Sequence, residues 1–185
     1  PHNTFEFTFD YDSQSRLKAV HYPTSSLSEE YPDGKPLVVN YDYQNGYLKS
    51  VHRDGDHWDP TLNWTAAKRD SYGRVTVEHK NNDYLVTTRS YNSRSGKLES
   101  LQTRDINQSL LQDFGFKYDA NGNLESRSNS VANIGSLSEG TEKFYFDKLN
   151  RLTSSAVVAS GVEQEAHFEA AYNSIGNIIF KNNVG

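Results

Sequence analysis

Apolar and polar residues alternate with a period of two along much of the chain, the pattern of a strand with one packed and one wetted face. Phe5-Glu6-Phe7-Thr8-Phe9 opens the series and Leu17-Lys18-Ala19-Val20-His21-Tyr22 follows it. Leu37-Val38-Val39-Asn40-Tyr41 is matched by Leu48-Lys49-Ser50-Val51, and Lys143-Phe144-Tyr145-Phe146 by Leu152-Thr153-Ser154-Ser155-Ala156-Val157-Val158. Such runs come in pairs separated by a few turn-forming residues, so they predict antiparallel hairpins. The best helix candidate, Ser109-Leu110-Leu111-Gln112-Asp113-Phe114, is short and leads directly into a strand. The expected class is all-β with almost no helix.

The segment between each pair of strands repeats. Its clearest form is Tyr118-Asp119-Ala120-Asn121-Gly122-Asn123-Leu124: an aromatic, an acid, two loose positions, a glycine, a polar residue and an aliphatic. Relatives lie at Tyr11-Asp12 to Leu17, Arg69-Asp70 to Gly73 and Val75, Phe146-Asp147 to Asn150 and Leu152, and Tyr172-Asn173 to Gly176 and Ile178. Two more carry an extra turn residue, Tyr41-Asp42 to Gly46 and Leu48, and Tyr91-Asn92 to Gly96 and Leu98. The turns therefore span 11–17, 41–48, 69–75, 91–98, 118–124, 146–152 and 172–178, an irregular period of 22 to 30 residues. In each, the Asp or Asn can accept backbone hydrogen bonds from the turn, while the glycine position takes the left-handed conformation that closes a short loop. Asn150 can also adopt it; Ser15 fits worst, so its turn is expected to differ or carry strain. Two strands for each of seven units gives about fourteen strands, held by neighbour contacts in a single array over 1–185. Stacked in register, Tyr11, Tyr41, Tyr91, Tyr118, Phe146 and Tyr172 would form one row and the aliphatics from Leu17 to Ile178 another. Irregular stretches at Tyr22–Pro36 and around Asn129–Gly140 are expected to be surface excursions.

Composition narrows the partners. Hydrophobic residues make up 35% of the 185; even with glycine added this stays below the roughly 45–50% usual for a packed globular domain. Aromatics reach 12%, which suits a half-wetted sheet built from rings. The net charge of −5 is spread without a basic block, so nucleic acid is not an expected partner. No apolar run approaches the roughly 18 residues of a membrane span. Cysteine and methionine are absent and the chain opens on Pro1, so it is expected to be part of something longer.

The Tyr-Asp-x-x-Gly-x-Leu units resemble those of RHS/YD-repeat proteins. The landmarks Tyr31-Pro32-Asp33-Gly34, Gly46-Tyr47-Leu48, Trp64, Thr87-Thr88-Arg89-Ser90-Tyr91, Ser126-Arg127, Leu149-Asn150-Arg151-Leu152 and Gly176-Asn177-Ile178 sharpen the resemblance. They are similar to the late repeat region of bacterial RHS polymorphic toxins and of the B and C components of insecticidal toxin complexes. The resemblance implies a curved, spiralling sheet forming part of a hollow shell around a toxic C-terminal domain. On that basis the chain is expected to be a non-catalytic scaffold without cofactor, part of an exported protein that is secreted or on the cell surface. Its partners would be the remainder of its polypeptide and the enclosed toxin, with self-association through open sheet edges as a further expectation. Related animal teneurins use a similar barrel for adhesion, so an adhesion or glycan-binding module is the alternative. The family's self-cleaving core has no counterpart in these residues.

Two polar clusters are candidates for chemistry. His52, Asp54, Asp56, His57 and Asp59 offer metal ligands, but their spacing fits neither a zinc pattern nor a calcium loop, and a polar turn is the stronger expectation. Glu163, Glu165, His167 and Glu169 alternate along one strand face and could act as paired acids, although the wet side of a sheet has the same pattern. Exposed members of Tyr22, Tyr31, Tyr43, Tyr47, Trp58, Trp64 and Tyr84 could stack on sugars. Nucleophile motifs and phosphate loops are missing. A metal-assisted hydrolase would require the first two clusters to converge.

Overall fold

Strand-forming residues dominate the computed structural model, which describes residues 6–23, 37–53, 63–131, 140–159 and 161–182; among them there is no helix. The chain divides into two compact units, Pro1–Thr87 and Thr88–Gly185. The first holds β1 (Thr8–Tyr11), β2 (Leu17–His21), β3 (Val38–Gln44), β4 (Tyr47–Arg53), β5 (Trp64–Arg69) and β6 (Val75–Lys80). β7 (Leu85–Tyr91) runs across the division. The second holds β8 (Leu98–Asp105), β9 (Leu110–Tyr118), β10 (Leu124–Asn129), β11 (Gly140–Phe146), β12 (Leu152–Ala159), β13 (Val162–Tyr172) and β14 (Ile178–Lys181). In each unit successive strands pair antiparallel in chain order. The helix candidate Ser109–Phe114 instead enters β9.

Consecutive pairing brings like residues side by side. In the first unit Phe9, Val20 and Val39 face one another across three strands, and Tyr41, Val51 and Trp64 form the next row. Burial is shallow, because a single sheet has no second layer to close over such rows. Among the described residues the buried apolar side chains are small, Ala19, Val20, Ala66, Ala156 and Ala170, and no large side chain is fully buried. Glu78 is buried but satisfied: its carboxylate accepts from Trp64 Nε1 at 2.9 Å and pairs with Lys80 Nζ at 3.3 Å. The sheet is thus held by neighbour contacts of roughly 0.2–1 kcal/mol each rather than by a central core.

A bulge sits beside the turn in most hairpins whose register is described; in the β12–β13 hairpin the register shifts lie further from the turn. Tyr11 lies opposite Leu17 but Asp10 lies opposite Ala19, leaving Lys18 unpaired. The same one-residue slip leaves Lys49, Thr76, Glu125, Thr153 and Ile179 as the extra residue. Such bulges increase local twist and re-aim the side chains beyond them.

Candidate functional site

The recurring feature is the turn itself. Asp12 N–H donates to the Arg16 carbonyl at 2.9 Å and Ser15 N–H to the Asp12 carbonyl at 3.0 Å. The pair closes a three-residue loop whose last residue is left-handed. The same two bonds recur from Asp70, Asp119, Asp147 and Asn173. The left-handed position holds Gly73, Gly122 and Gly176, but also Ser15 at φ 59° and Asn150 at φ 58°. Ser15 therefore closes the same turn as its relatives, in a conformation unfavourable for serine. Asn92 closes a longer loop, with Gly96 N–H donating to its carbonyl at 2.9 Å.

The acid side chain is engaged on both oxygens. Asp12 Oδ1 accepts from the backbone of Gln14 at 2.8 Å and of Arg16 at 3.0 Å, and Oδ2 accepts from Arg16 Nε at 2.7 Å. Asp70 makes the same three bonds with Tyr72 and Arg74, and Asp147 with Leu149 and Arg151. Asp119 accepts from Asn123 N and Nδ2. Each carboxyl is held below its ordinary range. The leading cause is the backbone N–H of the residue four positions on at Asp12 and Asp147, and the Asn123 amide at Asp119. At Asp70 desolvation is the largest effect and pushes upward, but the Arg74 side chain and backbone bonds outweigh it together.

Hairpins are then tied to their predecessors. The Tyr43 hydroxyl donates to the Leu17 carbonyl at 2.9 Å and the Tyr172 hydroxyl to the Leu152 carbonyl at 2.8 Å. The Arg16 guanidinium lies 4.3 Å from the Tyr43 ring centre, Arg151 lies 4.6 Å from Tyr172, and Lys97 Nζ lies 4.7 Å from Tyr118. Arg69, which replaces the tyrosine of its unit, donates through Nη2 to the Leu48 carbonyl at 2.5 Å and through Nη1 to Gly73 O at 2.7 Å.

The structure changes several sequence assignments. The residue opposite Leu48 is Tyr43, not Tyr41, which lies opposite Val51. The second turn is a two-residue loop with Asn45 and Gly46 both left-handed, the form favoured by Asn-Gly. Asp42 is therefore not a turn acid; it accepts from Ser50 Oγ at 2.8 Å and lies 3.3 Å from His52 Nδ1. The sequence pattern also missed Asp105, whose turn repeats the same bonds with Gln108 and Ser109 on the β8–β9 connection. No tyrosine or glycine marks that turn. The arginine four residues after Asp12, Asp70 and Asp147 was visible as a repeated spacing and carries the clamp. Asp10 with His21 (2.9 Å) and Asp42 with His52 hold equivalent places in successive hairpins. His79 stands at the third such place; Lys68 replaces the acid there, and His79 turns to Asp83.

Only part of the proposed chemical clusters falls within the described residues. Of the first metal cluster only His52 is described; Asp54, Asp56, His57 and Asp59 lie outside the described residues. Among the described residues no three His, Asp or Glu side chains gather around one point. Glu163 accepts from the Tyr145 hydroxyl at 2.7 Å and from Lys143 Nζ at 3.3 Å. These two, the hydroxyl first, lower its pKa, and Glu163 in turn raises that of Tyr145. A carboxylate held ionised in this way is a poor general acid. The side chains of Glu165 and His167 lie outside the described residues, as do Tyr31 and Trp58. An open cleft of 580 Å³ borders the Asp119 and Asn150 turns and is lined by Lys117, Lys143 and Tyr145. Across its rim Asn123 Nδ2 donates to Asn150 Oδ1 at 2.9 Å.

Comparison with known proteins finds no matching family model and no matching curated protein. Solved structures do match. The crystal structure of TcdB2-TccC3-Cdc42 superposes with a TM-score of 0.66 at 18% identity, covering 83% of this chain and 7% of that one. The fold is that of a stretch of the Tc toxin TcdB2-TccC3. The Photorhabdus luminescens Tc holotoxin pore gives a TM-score of 0.66 at 16% identity, covering 93% of this chain and 8% of that chain. The chain thus spans under a tenth of these Tc proteins. The resemblance to RHS/YD-repeat proteins, read from the turn motifs, and the likeness to TcdB2-TccC3 point to the same fold.

Proposed function

We propose that the chain is a non-catalytic structural segment, one array of hairpin repeats in the wall of an RHS-type shell that encloses or presents a toxin or effector domain. The observation that carries this reading is where the polar chemistry goes. The turn acids Asp12, Asp70, Asp119 and Asp147 are bound by their own hairpins, and Tyr43, Arg69 and Tyr172 bind the preceding hairpin. The likeness to TcdB2-TccC3 supports the shell, and with it an exported, secreted or cell-surface protein whose partners are the rest of its polypeptide and the enclosed domain.

Limited proteolysis of the complete polypeptide tests the proposal. The effector domain should resist cleavage while the wall is intact and be cut when the repeats are opened with urea. Equal cleavage rates for the enclosed and separately expressed domain would refute enclosure.

A glycan-binding reading has one observation in its favour, the exposed rings of Tyr47, Tyr72 and Tyr84. Cations already lie over two of them, Arg69 over Tyr47 and Arg74 over Tyr72, both at 5.1 Å. A glycan array on which the chain binds a sugar, with loss on Tyr84→Ala, would favour this second reading.

A further inference from the structure

The turn between β9 and β10 lacks a part that its relatives have. Asp12, Asp70 and Asp147 each bind an arginine four residues on, through Nε at 2.7, 2.7 and 2.6 Å. At Asp119 that position holds Asn123, whose amide is neutral, and among the described residues no cation pairs with Asp119. Lys97, from the preceding hairpin, is stacked on the Tyr118 ring instead.

The same substitution uncovers the next ring. Arg16 and Arg151 pair with their turn acids and also lie over the tyrosine of the following hairpin, 4.3 Å from the Tyr43 ring centre and 4.6 Å from that of Tyr172. The corresponding ring here is Phe146, and among the described residues no cation lies over it. Having no hydroxyl, it cannot donate to the Leu124 carbonyl either.

The cleft of 580 Å³ opens at this junction, with Asp119, Asn123, Glu125 and Phe146 in its lining. At the β4–β5 junction, where Arg69 forms part of the lining, the corresponding cleft is 280 Å³. Charge selects the occupant. Asp147 in the lining is paired with Arg151, and Lys143 with Glu163 at 3.3 Å. That leaves two carboxylates, Asp119 and Glu125, against one ammonium, Lys117, so a single positive charge balances the cleft.

We infer that this cleft receives an arginine side chain of a partner protein, its guanidinium paired with Asp119 and stacked on Phe146. Arg16 and Arg151 show the binding mode within the chain itself, since each guanidinium meets an acid and a ring together. A planar fork can make both contacts, whereas a compact ammonium fits them less well. The Asn123 amide does not bar entry, because a carboxylate oxygen can accept two hydrogen bonds and Asp119 Oδ2 can keep the first. The inference stands whether or not the wall encloses a toxin.

NMR titration of the 185-residue chain with N-acetyl-arginine amide provides the test, with the neutral citrulline and the lysine analogues as controls. Saturable shifts are expected at the Phe146 ring and the Asn150 amide, with a Kd on the order of millimolar for one ion pair and one stacked cation. Citrulline should bind about fivefold more weakly and lysine about twofold. Asp119→Asn keeps a turn that Asn173 also closes, and should weaken arginine binding by about fivefold. Asn123→Arg supplies the guanidinium from within and should abolish binding, with circular dichroism confirming that both variants are folded. The absence of saturable shifts, equal binding of arginine and either analogue, or binding indifferent to Asp119→Asn or to Asn123→Arg would each overturn the inference.

Discussion

Gly122 offers the most direct measure of how much a single turn contributes. It sits at φ 96°, and a Cβ built there would lie 2.5 Å from Lys97 Nζ. For Gly122→Val the left-handed backbone costs about 1–2 kcal/mol, more for a β-branched side chain than for a linear one. The lysine end can swing away, but it lies 4.7 Å from the Tyr118 ring centre, and losing that contact adds about 0.5–1 kcal/mol. The expected destabilisation is therefore about 1.5–3 kcal/mol, the sum of both effects. Gly122→Asn provides the control. Asn150 closes the equivalent turn at φ 58°, so asparagine should avoid most of the backbone cost, but its Cβ meets Lys97 as valine's does, leaving a loss of about 0.5–1 kcal/mol. Urea melts give the free energies, and amide exchange at Tyr118 and Asn123 reports whether the loss is local. The reasoning fails if valine and asparagine cost the same, or if valine costs nothing.

Other expectations follow from the clamp and the junction. The Asp12, Asp119 and Asp147 carboxyls titrate lower in the folded chain than their ordinary value of 3.8. The unfolded chain therefore binds protons first as pH falls. Their stabilisation should be complete near neutrality, decline as pH drops through about 4 and vanish below the folded values, and Asp147→Asn should flatten that decline in acid-denaturation curves. Tyr172→Phe removes the bond to the Leu152 carbonyl but keeps the ring under Arg151; a loss of about 1 kcal/mol in urea melts is expected. Arg69→Ala loses its bonds to two carbonyls and should cost about 1–3 kcal/mol, whereas Arg69→Tyr should recover most of it. In Tyr145→Phe, carbon-detected NMR titration should show Glu163 moving up toward its ordinary value of 4.5, since the hydroxyl is the largest influence lowering it.

Much of this architecture was legible because local chemistry and tertiary structure agree. A turn closed by an acid and a left-handed residue uses side chains within four positions of one another, so the Asp12, Asp119 and Asp147 turns could be read from spacing alone. What escaped depended on pairing. Asp42 follows a tyrosine and precedes a glycine just as Asp119 does, yet Asn45-Gly46 forms a tighter loop and moves the junction tyrosine to residue 43. Asp105 lacks both flanking signals because Arg104 stands opposite Leu110 and Gln108 supplies the left-handed φ. The bulges leave no mark in composition, since the extra residue is lysine in two hairpins, threonine in two, glutamate in another and isoleucine in another. The carboxylate strand shows the reverse case: Glu163 is exposed, but so is Val162 beside it, and alternation could not reveal that β11 brings Tyr145 and Lys143 against Glu163.

At the ties made by Tyr43, Arg69 and Tyr172 the acceptor is a main-chain carbonyl, a group that every residue possesses. Only the donor has to be specified by sequence, and a hydroxyl or a guanidinium meets the requirement equally well. A hairpin can therefore be inserted, lost or duplicated without matching changes in the hairpin before it. Drift in one repeat stays in that repeat, and an array built this way can change its length while its grammar stays fixed.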